Sequence, residues 1–180
     1  RLPVYRAAYH RTFDLLHTKL TLRFDWEQEQ VIGQAELKLT PLAANRKVLR
    51  LDAKGFDFKV IRIVDSQMPL KYTYDNRQEV FNTLDRAYKP GQEINLFIDY
   101  VATPEASGGS DAITSDKGLY FINAQGENPS QPKQIWTQGE TESNSRWFPT
   151  IDKPNERCTQ EMFVTVADKY DVLSNGVLVS

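Results

Sequence analysis

Residues 16–41 read LHTKLTLRFDWEQEQVIGQAELKLTP. Leu16, Leu20, Leu22, Phe24 and Trp26 share one parity, and His17, Lys19, Arg23 and Asp25 share the other. Successive side chains of a strand point to opposite faces, so apolar residues at every second position mark a half-buried strand. A polar turn follows, from Glu27 to Gln30. The alternation then resumes with Val31, Gly33, Ala35, Leu37 and Leu39 on one face and Gln34, Glu36 and Lys38 on the other, and it stops at Pro41. Two alternating runs joined by a short polar turn predict a β-hairpin.

Runs of the same kind lie on both sides of a long middle: Val48 to Leu51, Phe56 to Val64, Glu79 to Leu84, Ile94 to Val101, Leu119 to Ile122, Glu161 to Val166 and Val172 to Val179. Between Phe58-Lys59-Val60 and Ile61-Arg62-Ile63 the apolar parity slips by one, which a β-bulge accommodates. No window carries a sustained 3.6-residue apolar period with caps, so the one helical element expected is a single turn between Glu140 and Arg146. The expected class is all-β, a bent multi-sheet or sandwich-like antiparallel domain occupying residues 1–180 as one unit. Thr103 to Lys117, rich in Gly, Ser and Asp, and Asn123 to Lys133, with Gly126, Pro129 and Pro132, break the rhythm and read as surface loops.

With 180 residues the chain can bury roughly 70% of its extended surface, enough for one full core. Its 22 Lys and Arg against 24 Asp and Glu give a net charge of −2, which argues against a nucleic-acid binder. No apolar run approaches the ~18 residues of a membrane helix, so a soluble product is expected. One cysteine, Cys158, excludes an internal disulfide, and two histidines, His10 and His17, cannot furnish a conventional His/Cys zinc site. Cys158 reads as a small buried filler, and the two histidines as surface or packing residues. The absence of an initiator Met, and a last run that still reads as a strand, lead to the expectation of a fragment of a longer chain.

The densest segment is Gln134-Ile135-Trp136-Thr137-Gln138-Gly139-Glu140, followed by Arg146-Trp147-Phe148-Pro149 and Asp152-Lys153-Pro154. It resembles the N-terminal β domain of the M1 (gluzincin) zinc aminopeptidases: Thr137, Gln138, Glu140, Arg146, Phe148, Pro149, Asp152 and Pro154 match that family's motif in order and spacing. The first hairpin, Leu51-Asp52-Ala53-Lys54, and Ile94 to Tyr100 resemble the family more weakly. The resemblance implies a parent enzyme that removes N-terminal residues from peptides with one zinc, held on a catalytic domain that follows this one. Neither His-Glu-x-x-His nor Gly-x-Met-Glu-Asn occurs here, so the segment itself is expected to hold no zinc and no catalytic residue, and to be inactive alone.

By the same resemblance Glu140 is the carboxylate that binds the substrate's free α-amine, and Gln138 lines the first side-chain pocket. In an extended segment the two project from one face, with Gly139 keeping the other clear. The bland readings are a solvated loop glutamate for Glu140 and a backbone hydrogen bond for Gln138. Arg146 and Asp152 read as structural, holding the turn through paired charges. Phe148-Pro149 and Lys153-Pro154 read as turn and packing elements, and Trp136 and Trp147 as core or rim packing. Lys153 departs from the resemblance, standing where the family usually carries Glu. The implied partners are peptide N-termini and the downstream catalytic domain. The compartment stays open between exported, as is the family's habit, and cytoplasmic.

Two other readings compete. A β-sandwich module could bind carbohydrate or protein through a row formed by Trp136, Trp147 and Tyr120; it is distinguished by whether Gln138 and Glu140 share an exposed edge with polar neighbours. The second is a relative whose downstream domain has lost its zinc ligands and retains only binding. The severed-domain reading also predicts an uncovered face at Gln134 to Arg146.

Overall fold

The computed structural model describes residues 10–104 and 117–179. Strand β1 (Phe13–Asp25) pairs antiparallel with β2 (Gln30–Pro41) along their whole lengths, from Phe13 opposite Pro41 to Asp25 opposite Gln30. The connecting turn is closed by Asp25 Oδ1, which accepts from the backbone N–H groups of Glu27 and Gln28 at 3.0 and 2.9 Å. The hairpin is the one the alternation predicts, and Val31, Gly33, Ala35, Leu37 and Leu39 all face inward.

β1 starts earlier than expected. Phe13 and Leu15 are buried, the register shifts between Leu15 and His17, and from Thr18 onward the even positions turn inward. Leu16 is the bulge residue, half-buried on neither parity. The Leu15 N–H donates to Glu156 Oε1 at 2.8 Å at this bulge.

β7 (Ile94–Ala102) adds to β2, and β4 (Phe56–Ile63) adds to β7, both antiparallel. The register of β4 shifts between Phe58 and Val60, where the parity slip predicts a bulge. On the other side of β1 lies β10 (Thr159–Thr165), giving the order β10-β1-β2-β7-β4. β10 runs parallel to β1, with His17 opposite Thr159 and Arg23 opposite Thr165, so this sheet is mixed rather than wholly antiparallel.

A second sheet has the order β3 (Arg46–Asp52), β6 (Glu79–Tyr88) and β5 (Lys71–Asp75). β5 has no apolar alternation; Tyr72, Thr73 and Tyr74 supply residue types suited to a pleated surface instead. Its hairpin with β6 turns through the three residues Asn76, Arg77 and Gln78; the Gln78 N–H donates to the Asp75 carbonyl at 2.8 Å, and Asn76 and Arg77 between them take positive φ (44° and 55°).

Leu20, Leu22, Leu37, Leu39, Leu96 and Ile98 of the large sheet share one apolar core with Leu49, Leu51, Val80 and Leu84 of the second. Each such side chain contributes about 1.5–3 kcal/mol on burial. The sandwich-like all-β architecture read from the sequence is therefore present.

Val172 to Val179, read as a strand from its apolar pattern, is not one. It carries no ladder, Gly176 sits at φ +95°, and Leu173 and Val177 to Val179 are almost fully exposed. A strand needs a neighbour for its N–H and C=O groups, and no described segment pairs with this one. Of the two expected loops, residues 105–116 of the first lie outside the described residues. The second, Asn123 to Lys133, is ordered around Asn123, whose side-chain amide donates to the Asn128 carbonyl at 2.9 Å.

Candidate functional site

The third sheet carries the segment singled out above. β8 (Gly118–Ile122) pairs antiparallel with β9 (Gln134–Gln138), Tyr120 lying opposite Trp136. Along β9 the residues Gln134, Trp136 and Gln138 alternate onto one face, and all three are exposed. β9 ends there, and the chain turns. The Ser143 N–H donates to the Gly139 carbonyl at 2.9 Å, and a single 3-10 turn, Asn144–Arg146, follows. This is the helical turn that the sequence predicts.

Glu140 stands at the start of the turn, exposed, with a cis peptide bond to Thr141. Gln138 Nε2 lies 3.5 Å from Glu140 Oε2, a long contact that places the two side chains side by side. No cation among the described residues pairs with the Glu140 carboxylate. The edge is thus polar, solvated and electronegative at one point. A Cβ at Gly139 would lie 2.2 Å from the Asn144 side-chain amide, so a larger residue there would have to displace that side chain.

Behind this edge the chain is buried from Ser145 through Asp152. Asp52, at the end of β3, exchanges backbone hydrogen bonds with Thr150 (2.7 and 3.1 Å), and its Oδ2 accepts from the Asp152 N–H at 2.9 Å. Asp152 Oδ2 in turn accepts from the Ser145 N–H at 2.8 Å. Burial pushes the Asp152 carboxyl above its ordinary value, a shift that the Ser145 hydrogen bonds oppose. The Lys54 N–H donates to the Ser145 carbonyl at 2.7 Å, and Lys54 Nζ to the Glu142 carbonyl at 2.8 Å. Lys153 Nζ reaches Glu142 Oε2 at 2.6 Å. Arg50 is bonded to both Asp52 and Glu79, and that hydrogen bond holds the Glu79 carboxyl below its ordinary value.

Between the turn and the second sheet lies a small polar pocket of about 170 Å³, lined among others by Asp52, Lys54, Glu79, Glu142 and Lys153. The large sheet supports the segment from its other side. Tyr100, fully buried in β7, donates its hydroxyl to the Trp147 carbonyl at 3.0 Å. Its ring lies over Gly33, where any Cβ would come within 2.4 Å of it. Gly118, at φ +75°, packs its Cα face against the Ser143 carbonyl.

Asp152 holds the turn by accepting from the backbone amide of Ser145, a bond to main chain where a pairing of charges was expected. Phe148, Pro149 and Trp147 are buried, whereas Trp136, at 51% exposure, lies at the rim and not in the core. β9 belongs to a two-stranded sheet, and on this face Gln134, Trp136 and Gln138 are all exposed. Trp147 and Tyr120 are buried, at 6% and 4% exposure, so Trp136, Trp147 and Tyr120 form no stacking row. Gln138 and Glu140 instead share an exposed edge with polar neighbours.

His10 is exposed, whereas His17 lies between Thr159 Oγ1 (2.7 Å) and Glu161 Oε1 (3.4 Å), joining β1 to β10. Cys158 is half-buried against the core, its Sγ 3.7 Å from Thr18 Oγ1. No group of three or more His, Cys, Asp or Glu among the described residues is placed to hold a metal, and no described helix is long and apolar enough to cross a membrane. The residues missed by the sequence reading are Asp52, Lys54 and Glu142. Only Lys153, noted as a departure from the resemblance, signalled a different arrangement of charges.

The chain is similar in fold to solved zinc metallopeptidases. It superposes on the M1 zinc metallopeptidase from Deinococcus radiodurans with a TM-score of 0.73 at 19% identity, covering 98% of this chain and 38% of that one. For native leukotriene A4 hydrolase from Saccharomyces cerevisiae the TM-score is 0.63 at 18% identity, over 85% of this chain and 23% of the other. In sequence it is 22% identical over 198 residues to Transcription initiation factor TFIID subunit 2 from Gallus gallus, and 21% identical over 205 residues to that from Danio rerio. Each match takes in 94% of this chain and 17% of the relative. The chain thus spans well under half the length of the proteins it matches. The sequence profile of the Peptidase M1 N-terminal domain matches residues 13–180, nearly the whole chain, and the protein belongs to that family.

Proposed function

We propose that this domain anchors the free amino terminus of a peptide for a zinc-dependent aminopeptidase, with Glu140 binding the α-ammonium and Gln138 lining the pocket for the first side chain. The observation that carries this reading is the pairing of Glu140 and Gln138 on an exposed edge, with no cation among the described residues at the carboxylate and a buried, hydrogen-bonded turn behind it. An ammonium offers three donors, and its bonds to a carboxylate are about twice as strong as neutral ones. An internal peptide bond presents no such group, so selection for chain ends follows. Fixing the amine also fixes which carbonyl reaches the reacting groups, an orientation effect worth up to about 7–11 kcal/mol at the limit.

The described residues do not provide a zinc site, and the hydrolytic groups belong to a catalytic domain elsewhere in the parent chain. In this reading the domain is inactive by itself, and its partners are peptide N-termini and that catalytic domain. The test is hydrolysis of aminoacyl-anilides by the full-length parent, with and without chelator, comparing wild type with Glu140→Ala. The expected result is chelator-sensitive activity whose kcat/KM falls about 10- to 100-fold in the variant, the value of one or two hydrogen bonds to a charged group. Chelator-sensitive activity indifferent to the substitution would sink the anchor while keeping the peptidase.

A second reading is supported by the two TFIID subunits among the relatives, whose names record assembly into a transcription factor. In this reading the parent keeps the domain for peptide or protein binding without hydrolysis. Peptide binding by a parent that hydrolyses no aminoacyl substrate is its signature.

A further inference from the structure

We infer that Lys153, through its ion pair with Glu142, is a positioning residue that sets where Glu140 stands on the substrate edge; the inference rests on the amine-anchor reading above. Among the described residues, Glu140 makes one long side-chain contact, to Gln138. Its place is therefore fixed by the two ends of the turn that contains it. At the first end, Gly139 is pressed against the Asn144 amide. At the other, Glu142 is fastened twice by lysines from distant parts of the chain: its carbonyl accepts from Lys54 Nζ at 2.8 Å and its carboxylate from Lys153 Nζ at 2.6 Å.

The remaining fastenings use backbone groups. The Lys54 N–H meets the Ser145 carbonyl, the Ser143 N–H meets the Gly139 carbonyl, and Asp152 accepts from the Ser145 N–H. The Lys153 pair joins side chain to side chain, so a substitution at Lys153 acts on the Glu142 carboxylate directly. Burial opposes the Lys153 charge, but the hydrogen bond to Glu142 and the fields of Asp52 and Glu142 outweigh it and keep the ammonium charged above its ordinary range.

A pair this exposed on one side, with the Glu142 side chain 42% accessible, adds little to global stability. Its effect falls on the turn two residues from Glu140. If the lysine is shortened, the polar pocket beneath has room for water to solvate the carboxylate, so the turn loosens rather than collapses. The charge that departs from the resemblance thus has a local partner, and the two residues form one device.

The experiment uses the full-length parent with Lys153→Met, Lys153→Arg, the charge-reversed pair Glu142→Lys with Lys153→Glu, and Glu140→Ala. Lys153→Met is expected to raise KM for aminoacyl-anilides about tenfold, with a smaller change in kcat and an unchanged melting temperature. Lys153→Arg keeps wild-type KM, and the reversed pair recovers most of the loss. Hydrogen exchange of the Ser143 amide, whose bond to Gly139 closes the turn, is faster in Lys153→Met whether or not the parent hydrolyses peptides. Wild-type KM and wild-type protection at Ser143 in Lys153→Met would overturn the inference, as would failure of the reversed pair to recover. Indifference to Glu140→Ala would instead overturn the anchor reading itself, so the two failures are distinguishable.

Discussion

In β2 and β7 every second residue is buried, whereas in the segment after β9 the buried residues run without interruption from Ser145 to Asp152. The strands are placed by a pattern: one face apolar, one face wet, and a register that cannot slip by one without turning the whole set inside out. The segment is placed by individual bonds, from Asp52, Lys54, Asp152 and Lys153 and from the Tyr100 hydroxyl. A pattern keeps its register when any one position changes, whatever that change costs in stability. A set of single bonds has no such redundancy, and its members must each come from a defined place in the fold. The exposed pair Gln138 and Glu140 stands on the second kind of support.

The largest effect expected from breaking this contrast comes from the pattern. Leu37→Ala, at a fully buried position of β2, should cost about 2–5 kcal/mol in chemical unfolding, through lost transfer energy and a cavity. A somewhat smaller loss, about 1–3 kcal/mol, is expected for Gly118→Ala. An added Cβ there meets the Ser143 carbonyl at 1.9 Å, with φ at +75°, and backbone cannot yield as a side-chain end can. This variant should also disturb the turn at Glu140, read as faster exchange of the Ser143 amide, whereas Leu37→Ala should not do so selectively.

The smallest effect sharpens the comparison through pH. Asp152 has a carboxyl raised above its ordinary value of 3.8 by burial, so the folded state binds its proton more tightly than the unfolded chain. The associated stability is present below 3.8 and is lost as pH rises through the raised folded value. Glu79, lowered from 4.5 chiefly by its hydrogen bond to Arg50, behaves oppositely: its contribution is present above 4.5 and is lost as pH falls through the lowered value. Unfolding measured across this range, wild type against Asp152→Asn and against Glu79→Gln, should therefore give difference curves of opposite slope. Curves of equal slope would show that burial does not dominate at Asp152.

The strands of the large sheet were legible because period two is written locally: β1, β2 and β7, and the bulge at Phe58, follow from neighbouring residues alone. The bulge at Leu16 was not, since the Glu156 carboxylate that meets it lies more than a hundred residues away. β5 escaped because tyrosine and threonine make a strand there without apolar alternation, and Val172 to Val179 misled because a strand-like pattern has no ladder without a neighbour.

At the site, Gln138 and Glu140 came from the family resemblance, and one helical turn from the lack of longer periodicity. Of their support, Asp152 alone was read from the sequence as holding the turn. Asp52 and Lys54 lie roughly a hundred residues before the groups they hold, and such pairings have no local signature.

Trp136 and Trp147 flank the same turn, one half open to water and the other buried. An indole in water emits to the red of one in a packed core. The segment thus carries two optical reporters eleven positions apart, one registering what lies against the edge and the other the integrity of what stands behind it.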